Sequence, residues 1–301
     1  MPDLFTMACS VQGKELAVSG RVLRTVRLRH EWCDFVPAPL RIADDLRAAG
    51  VRADVFTFVQ EIGDADPEFE WTKGDAAAAV LPLTTHQRWW TELGFKPRNK
   101  VRKAQKSGID VRLARLDDAF ARGVEAIYAE TPVKQGRKFA HFGQSAAAIK
   151  AELASFADHS LLVGAYLGPE LVGFMKLFVS ERVLRTIHII GSTKHREKCV
   201  MDAFISKAVE LGCARGCSYL HYGSWTEGGI GTFREKHGFE RRVTNRYFVP
   251  LTLRGHVMLA LSLHQPLRDR LPRTVVNPLR DLRARWNALR YSGAKTAAEA
   301  Q

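Results

Sequence analysis

Acidic residues are in short supply in this 301-residue chain: 32 Asp and Glu stand against 45 Lys and Arg, a formal charge of +13 with histidine neutral. Such a balance favours anionic partners, whether phosphate groups on a donor, tRNA or an anionic membrane surface. Cysteine is also sparse, with five residues (Cys9, Cys33, Cys199, Cys213, Cys217), an odd number that does not read as a disulfide framework. No stretch reaches 18 apolar residues, so no segment reads as a transmembrane helix. The first twenty residues contain no apolar run of signal-peptide length, and the expectation is a cytoplasmic protein, with membrane association left open. The remaining composition, 46% hydrophobic and 26% charged, excludes whole-chain disorder and collagen-like repeats.

The positive charge is concentrated. Residues 96–115 hold eight basic residues and one acid, and residues 241–292 hold eleven Arg and two Asp, so the rest of the chain is slightly negative. His195, Cys199, Cys213 and Cys217 read H-x3-C-x13-C-x3-C, loosely like a zinc frame. Cys213 and Cys217 fall at the end of an amphipathic pattern rather than on a tight turn, so they are read as buried thiols and no metal is assigned.

Hydrophobic periodicity divides the chain in three. Residues 1–95 read as a reduced N-terminal α/β subdomain: a hairpin turning at Ser19-Gly20, a helix from Pro39, a buried strand over 53–60, an acidic loop over 61–75, a strand over 78–83 and a helix begun by Thr84 or Thr85. Residues 96–252 follow the order β-α-α-β-β-β-α-β-α-β: a basic helix over 97–107 precedes a strand over 109–113, then a helix capped by Asp117 or Asp118 and one over 145–158. Apolar strands over 161–167, 171–179 and 185–191 read as central strands covered on both faces. A helix over 200–213 with a stop at Gly212, strands over 218–222 and 243–251, and a short helix over 231–236 complete an α/β (α+β) layout with one mixed sheet flanked by helices. Residues 253–301 read as a basic C-terminal extension. Within 251–291, two amphipathic patterns, 251–263 and 279–291, present Trp and Arg in the manner of a peripheral membrane contact; docking on the domain is the alternative.

Two phrases stand out at the ends of the middle segment. Phe233-Arg234-Glu235-Lys236-His237-Gly238-Phe239-Glu240 closes a short helix and opens a strand, and Arg98 to Ile109 (RNKVRKAQKSGI) is a basic helix leading into a strand. The first phrase resembles the F-x-x-x-x-G-F step of GNAT acyltransferases; the second resembles the basic helix entering the second domain of FemAB-like transferases, which use that fold to add amino acids to cell-wall precursors. Together they bracket about half the chain. The resemblance implies an N-acyltransferase or aminoacyltransferase in cell-envelope or polysaccharide metabolism, with acyl-CoA or aminoacyl-tRNA as donor.

The chain departs from the GNAT donor loop, R/Q-x-x-G-x-G/A, whose glycines let backbone N–H groups reach a pyrophosphate. Arg196-Glu197-Lys198-Cys199-Val200-Met201 has Cys and Met at the two small positions, so a non-catalytic GNAT-fold binding protein is the other reading. Lys194, Arg196 and Lys198 still stand at a helix start, where cations are disfavoured by up to ~1 kcal/mol each unless screened or paired with an anion. In the fold implied by the resemblance, Ile189, Ile190 and Gly191 would meet the donor through their backbones. For proton transfer the candidates are Tyr222 at a strand end, His188 within an apolar strand, and Glu130 at a helix end if burial raises its pKa. The loop 133–143 mixes cations, aromatics and glycine, and Gln135, Arg137, Phe139 and His141 are its candidates for acceptor binding. Each has a structural alternative, from sheet-edge Tyr to solvated loop.

Overall fold

A computed structural model describes residues 7–11, 14–32, 39–62, 69–134, 136–180 and 182–264, together with 278, 282, 285–287 and 290. The chain begins with strands β1 (Met7–Val11), β2 (Lys14–Ser19) and β3 (Thr25–Leu28), helix α1 (Pro39–Ala48), and strands β4 (Val55–Val59) and β5 (Thr72–Pro82). Helices α2 (His86–Glu92) and α3 (Phe95–Lys106), strand β6 (Ile109–Ala114) and helix α4 (Asp118–Ala129) follow. A two-strand ladder, β7 (Val133–Lys134) with β8 (Arg137–Lys138), leads to helix α5 (Ala146–Leu153) and the antiparallel strands β9 (Ser160–Leu167), β10 (Glu170–Val179) and β11 (Val183–Gly191). Helix α6 (Val200–Ala214), β12 (Tyr219–Ser224), α7 (Gly229–Lys236), β13 (Glu240–Pro250) and α8 (Leu253–Ala260) complete the described elements.

Two compact units emerge, each drawing on two stretches of chain: residues 1–77 with 242–280, and residues 78–241 with 281–301. The chain crosses between them inside β5 and β13, where a linear reading places a boundary at 95/96 and another at 252/253. In the first unit the strands run β1-β2-β3-β4-β13. Alternation in β2 and β3 and the all-buried run Val55–Val59 place Leu16, Val26, Leu28, Phe56 and Tyr247 on a core shared with Ile42 and Leu46 of α1. Ser19-Gly20 is not a two-residue turn. Five residues separate β2 from β3, because the buried Asp54 draws the chain aside: its carboxylate accepts from the Arg24 N–H (3.0 Å), and the Arg24 carbonyl accepts from the Asp54 N–H (2.7 Å).

In the second unit the sheet order is β5-β12-β11-β10-β9-β6, mixed because β11 and β12 are parallel and the other pairs antiparallel. The nearly all-apolar run of β10, broken only by Lys176 after its first residue, fits its central position, covered on both faces. One face packs on α6 through Phe204, Ile205, Ala208 and Val209, and the other on α4 and α5 through Phe120, Val124, Tyr128 and Ile149. Asp117 caps α4 by accepting from the Phe120 N–H at 2.7 Å, and Ser145 caps α5. Gly212 does not end α6. It lies inside the helix, where an added Cβ would meet the Leu83 and Leu184 side chains, and the chain turns away at Gly216, which has φ +69°. Of the expected helix over 279–291, most residues lie outside the described set; Leu282 and Trp286 are exposed.

Candidate functional site

Strands β11 and β12 pair only over Val183–Arg185 with Tyr219–His221. Beyond that point β11 continues to Gly191 and β12 to Ser224 with no ladder between them. The cause lies on the other side of β11. Its register with β10 slips between Lys176↔His188 and Leu177↔Thr186, leaving Ile187 as an extra residue, and such a bulge bends and twists its strand. The result is a wedge with the 186–191 edge of β11 as one wall. Main-chain groups along that wall need partners that β12 does not supply, as an extended ligand would. Thr186, first past the paired stretch, has a buried hydroxyl with no hydrogen-bond partner among the described residues. Ile190 points into the α4–α5 core and Ile189 packs at the edge of the α6 core, so these two side chains are occupied while their backbones border the wedge.

At its open end the wedge meets the N-terminus of α6. A single 3₁₀ turn, Arg196–Lys198, leads to Cys199, which takes φ +58° and caps the helix without a side-chain hydrogen bond. The Cys199 carbonyl accepts from the Asp202 and Ala203 N–H groups, and the N–H groups just before these point out of the helix end, where an anion is favoured. Lys194, Arg196 and Lys198 lie in the segment just before this end, and α3 packs against the same turn. Burial, then Asp202, push the Cys199 thiol pKa up, while Lys103 and Lys100 of α3 pull it partly back. The basic helix read from the sequence is thus close to the expected donor loop.

Tyr222 lies on the β12 side. Its ring stacks on the Arg234 guanidinium, 4.6 Å from the ring centroid, and packs against Phe239. Arg234 is anchored by the Ser224 carbonyl at 2.7 Å. Burial pushes the Tyr222 phenol up to about 12, with Arg234 opposing, so at neutral pH it is a proton donor. The neighbouring His221 is pushed down to about 3 by burial and then by Arg185 and Arg234, and is neutral.

No protein-family model and no curated protein matches the sequence. Solved structures do match in fold. FemX superposes with a TM-score of 0.58 at 9% identity, covering 85% of this chain and 90% of that one. L-PGS from Bacillus licheniformis gives 0.54 at 16% identity over 86% and 88% of the two chains. The C-terminal domain of an Agrobacterium fabrum protein assigned as a lysylphosphatidylglycerol synthetase gives 0.53 at 11% identity over 85% and 87%. This chain has the FemAB-like GNAT fold.

Within that fold the other predicted residues separate into two groups. Glu130, the last residue of its helix end, accepts from Ser192 Oγ (2.5 Å), the Thr193 N–H (2.5 Å) and Thr193 Oγ1 (2.7 Å). Burial favours a raised pKa, as the sequence suggested, but the hydrogen bonds from Ser192 and Thr193, with help from Lys134, outweigh it and hold the carboxyl below its ordinary value. Glu130 is therefore an ionised clamp on the segment between β11 and the α6 turn. The second group gathers under α4 and α5. His188 has its imidazole among Tyr128 (hydroxyl to Nε2 3.3 Å), His141 (ring centroids 5.0 Å) and Phe174 (4.9 Å). Burial, followed by the charges of His141, Lys134 and Lys176, pushes it down to about 3, which makes it a weak proton acceptor. His141 stacks on Tyr128, Phe139 meets the same ring edge-on, and Lys134 Nζ lies 4.7 Å from the Phe139 ring centre. Arg137 is exposed on β8, and Gln135 lies outside the described residues.

Sequence reasoning missed Tyr128, Glu152 and Arg234. Tyr128 and Arg234 sit on buried faces of helices whose patterns read as core and as surface, and only packing across the sheet brings them to the site. The adjacent Phe233–Phe239 phrase was a signal for the Arg234 position.

Proposed function

We propose that this protein transfers an acyl or aminoacyl group from a phosphate-bearing donor to an amine. The observation that carries the reading is the wedge between β11 and β12 opening onto a helix end that has no side-chain cap and follows a segment bearing Lys194, Arg196 and Lys198, with the protonated Tyr222 on its far wall. The donor's phosphates would meet the α6 N-terminus and its cations, and the 189–191 backbone would hold the donor's extended arm and carbonyl. The acceptor amine forms the new C–N bond and sheds a proton, the carbonyl carbon releases its sulfur or oxygen, and Tyr222 gives that leaving atom a proton and recovers one from the amine. Phe139, His141 and Arg137 would line the acceptor side. FemX and the lysylphosphatidylglycerol synthetase domain support an envelope setting and an aminoacyl-tRNA donor; acyl-CoA meets the same charges.

A non-catalytic reading is favoured by one contact. Met201, in place of the small residue of the donor loop, brings its Sδ and Cγ within 3.7–3.9 Å of where a Gly191 Cβ would stand, filling space beside the donor strand.

Thermal-shift titration with free coenzyme A, acetyl-CoA, longer acyl-CoA and aminoacyl-tRNA, on the natural chain and on Arg196→Ala, separates these readings. A ligand at ~100 times its Kd adds ~2.7 kcal/mol. A saturable shift lost in Arg196→Ala supports the donor site and names the donor. No shift with any of them refutes the donor site and leaves the binding reading.

A peripheral contact with anionic lipid belongs to the same proposal. On α8 and at its C-terminal end, Leu253, Val257 and Leu261 repeat at helical spacing and are exposed, and a nearby cavity of about 450 Å³ is lined by Arg24, Arg47, Arg52 and Arg254 together with Asp54. Co-sedimentation with phosphatidylglycerol vesicles but not with phosphatidylcholine vesicles is expected, and equal binding to neither would dismiss it.

A further inference from the structure

Beneath α4 and α5, His141, Glu152 and His188 each present one ligand atom, and these atoms all lie within 4.8 Å of one another. We propose that they form a binding site for a first-row divalent transition metal such as zinc or cobalt, tying the loop between α4 and α5 to strand β11. The proposal is independent of the transferase reading.

The donor set suits such an ion. Two imidazoles and one carboxylate favour zinc, cobalt or nickel over magnesium or calcium, which prefer all-oxygen shells. Three protein ligands also leave a position for water. The three residues come from different parts of the fold: a loop, the last turns of α5 and a central strand. Two of them are already paired, His141 Nδ1 and Glu152 Oε2 lying 3.7 Å apart. Gln144 holds both, its Oε1 facing His141 Nδ1 at 2.9 Å and its Nε2 donating to Glu152 Oε2 at 3.3 Å. His188 is fixed by the sheet, and its ring is braced by the Tyr128 hydroxyl, as outer-shell partners brace metal-ligating histidines.

Bonds of about 2.0–2.1 Å in a tetrahedral arrangement set ligand atoms a little over 3 Å apart, so the widest gap must close by roughly 1.5 Å. The movable members can make that change: Glu152 is an exposed, flexible side chain and His141 sits in a loop. Two cations stand nearby and oppose a dication. Lys176 Nζ is committed to the Leu153 carbonyl (2.9 Å) and to the Ser155 carbonyl and hydroxyl, and Lys134 lies over Phe139. Affinity is therefore expected in the micromolar range rather than at the level of closed structural zinc sites.

The full chain, stripped with chelator, is titrated with cobalt(II) chloride while visible absorption is followed, and zinc sulfate is then added in competition. The expected result is one saturable equivalent with ligand-field bands, displaced by zinc, and weakened at least ten-fold in both His141→Ala and Glu152→Gln, whose substituted side chains are at the accessible side of the cluster. His195→Ala, which alters a separate histidine-carboxylate contact with Glu170, is the control and should bind as the natural chain does. Circular dichroism confirms that each variant is folded. Absence of a saturable equivalent in the natural chain overturns the site, as does binding unchanged by His141→Ala and Glu152→Gln or lost equally in His195→Ala.

Discussion

Replacing Glu130 by Gln tests whether this carboxylate is a clamp or a catalytic base. The ionised side chain accepts three hydrogen bonds from Ser192 and Thr193 at 2.5–2.7 Å. Glutamine keeps one acceptor oxygen and turns the other position into a donor facing a donor. A hydrogen bond to a charged group contributes about 1.5–3 kcal/mol, and partial exposure reduces that, so the loss is about 1–2 kcal/mol. At about 2–4 °C per kcal/mol for a chain of this size, the Tm should fall by roughly 2–8 °C at pH 7. The pH dependence follows from the sign of the shift. The folded pKa of Glu130 is held below the unfolded value, so its contribution is fully present above the ordinary glutamate range and disappears as pH falls through the folded pKa. The gap between the natural chain and Glu130→Gln should therefore be constant between pH 6 and 8 and shrink below about pH 4.5. Thermal unfolding by circular dichroism at pH 3.5, 5 and 7 measures it. An unchanged Tm at pH 7, or a gap no smaller at pH 3.5 than at pH 7, would refute the clamp; unchanged stability with transfer activity abolished would restore the role of base.

Three further outcomes are expected. Tyr222→Phe should lower kcat by about 10²–10⁴-fold while leaving the Tm within a degree, and because the phenol titrates at about 12 the natural activity should show no loss assignable to it between pH 7 and 10; an activity limb near pH 8 that vanishes in the variant would contradict this. Gly231→Ala should cost about 1–3 kcal/mol in chemical denaturation, since its Cβ would collide with the Thr226 backbone carbonyl, which cannot step aside as a side chain can; an equal midpoint would show that α7 tolerates the shift. At Cys199, where φ is +58°, glycine should be more stable than alanine by about 1 kcal/mol, measured as the difference between Cys199→Gly and Cys199→Ala; alanine matching glycine would remove the strain argument.

By itself the sequence determined most of the helices and strands. The nearly all-apolar run of residues 171–179 demanded a strand covered on both faces, and Asp117 or Asp118, Ser145 and Thr84 or Thr85 announced helix starts, which Asp117, Ser145 and Thr85 cap with their side chains. Those features rest on local periodicity and short-range hydrogen bonds, which neighbours in sequence reveal. Tertiary structure alone decided the rest. Gly212 reads as a helix stop, and only its approach to Leu83 shows why a small residue lies inside α6. Glu130 reads as a helix-end acid, and only the fold brings Ser192 and Thr193, more than sixty residues on, to its oxygens. The bulge at Ile187 opens the wedge because a bend imposed on the β10 side of β11 turns its other edge away from β12, and His141, Glu152 and His188 meet because three elements close on one another. Long-range contacts leave no spacing in the chain to be read, since the energy that selects them belongs to surfaces that exist only once the sheet and helices have packed.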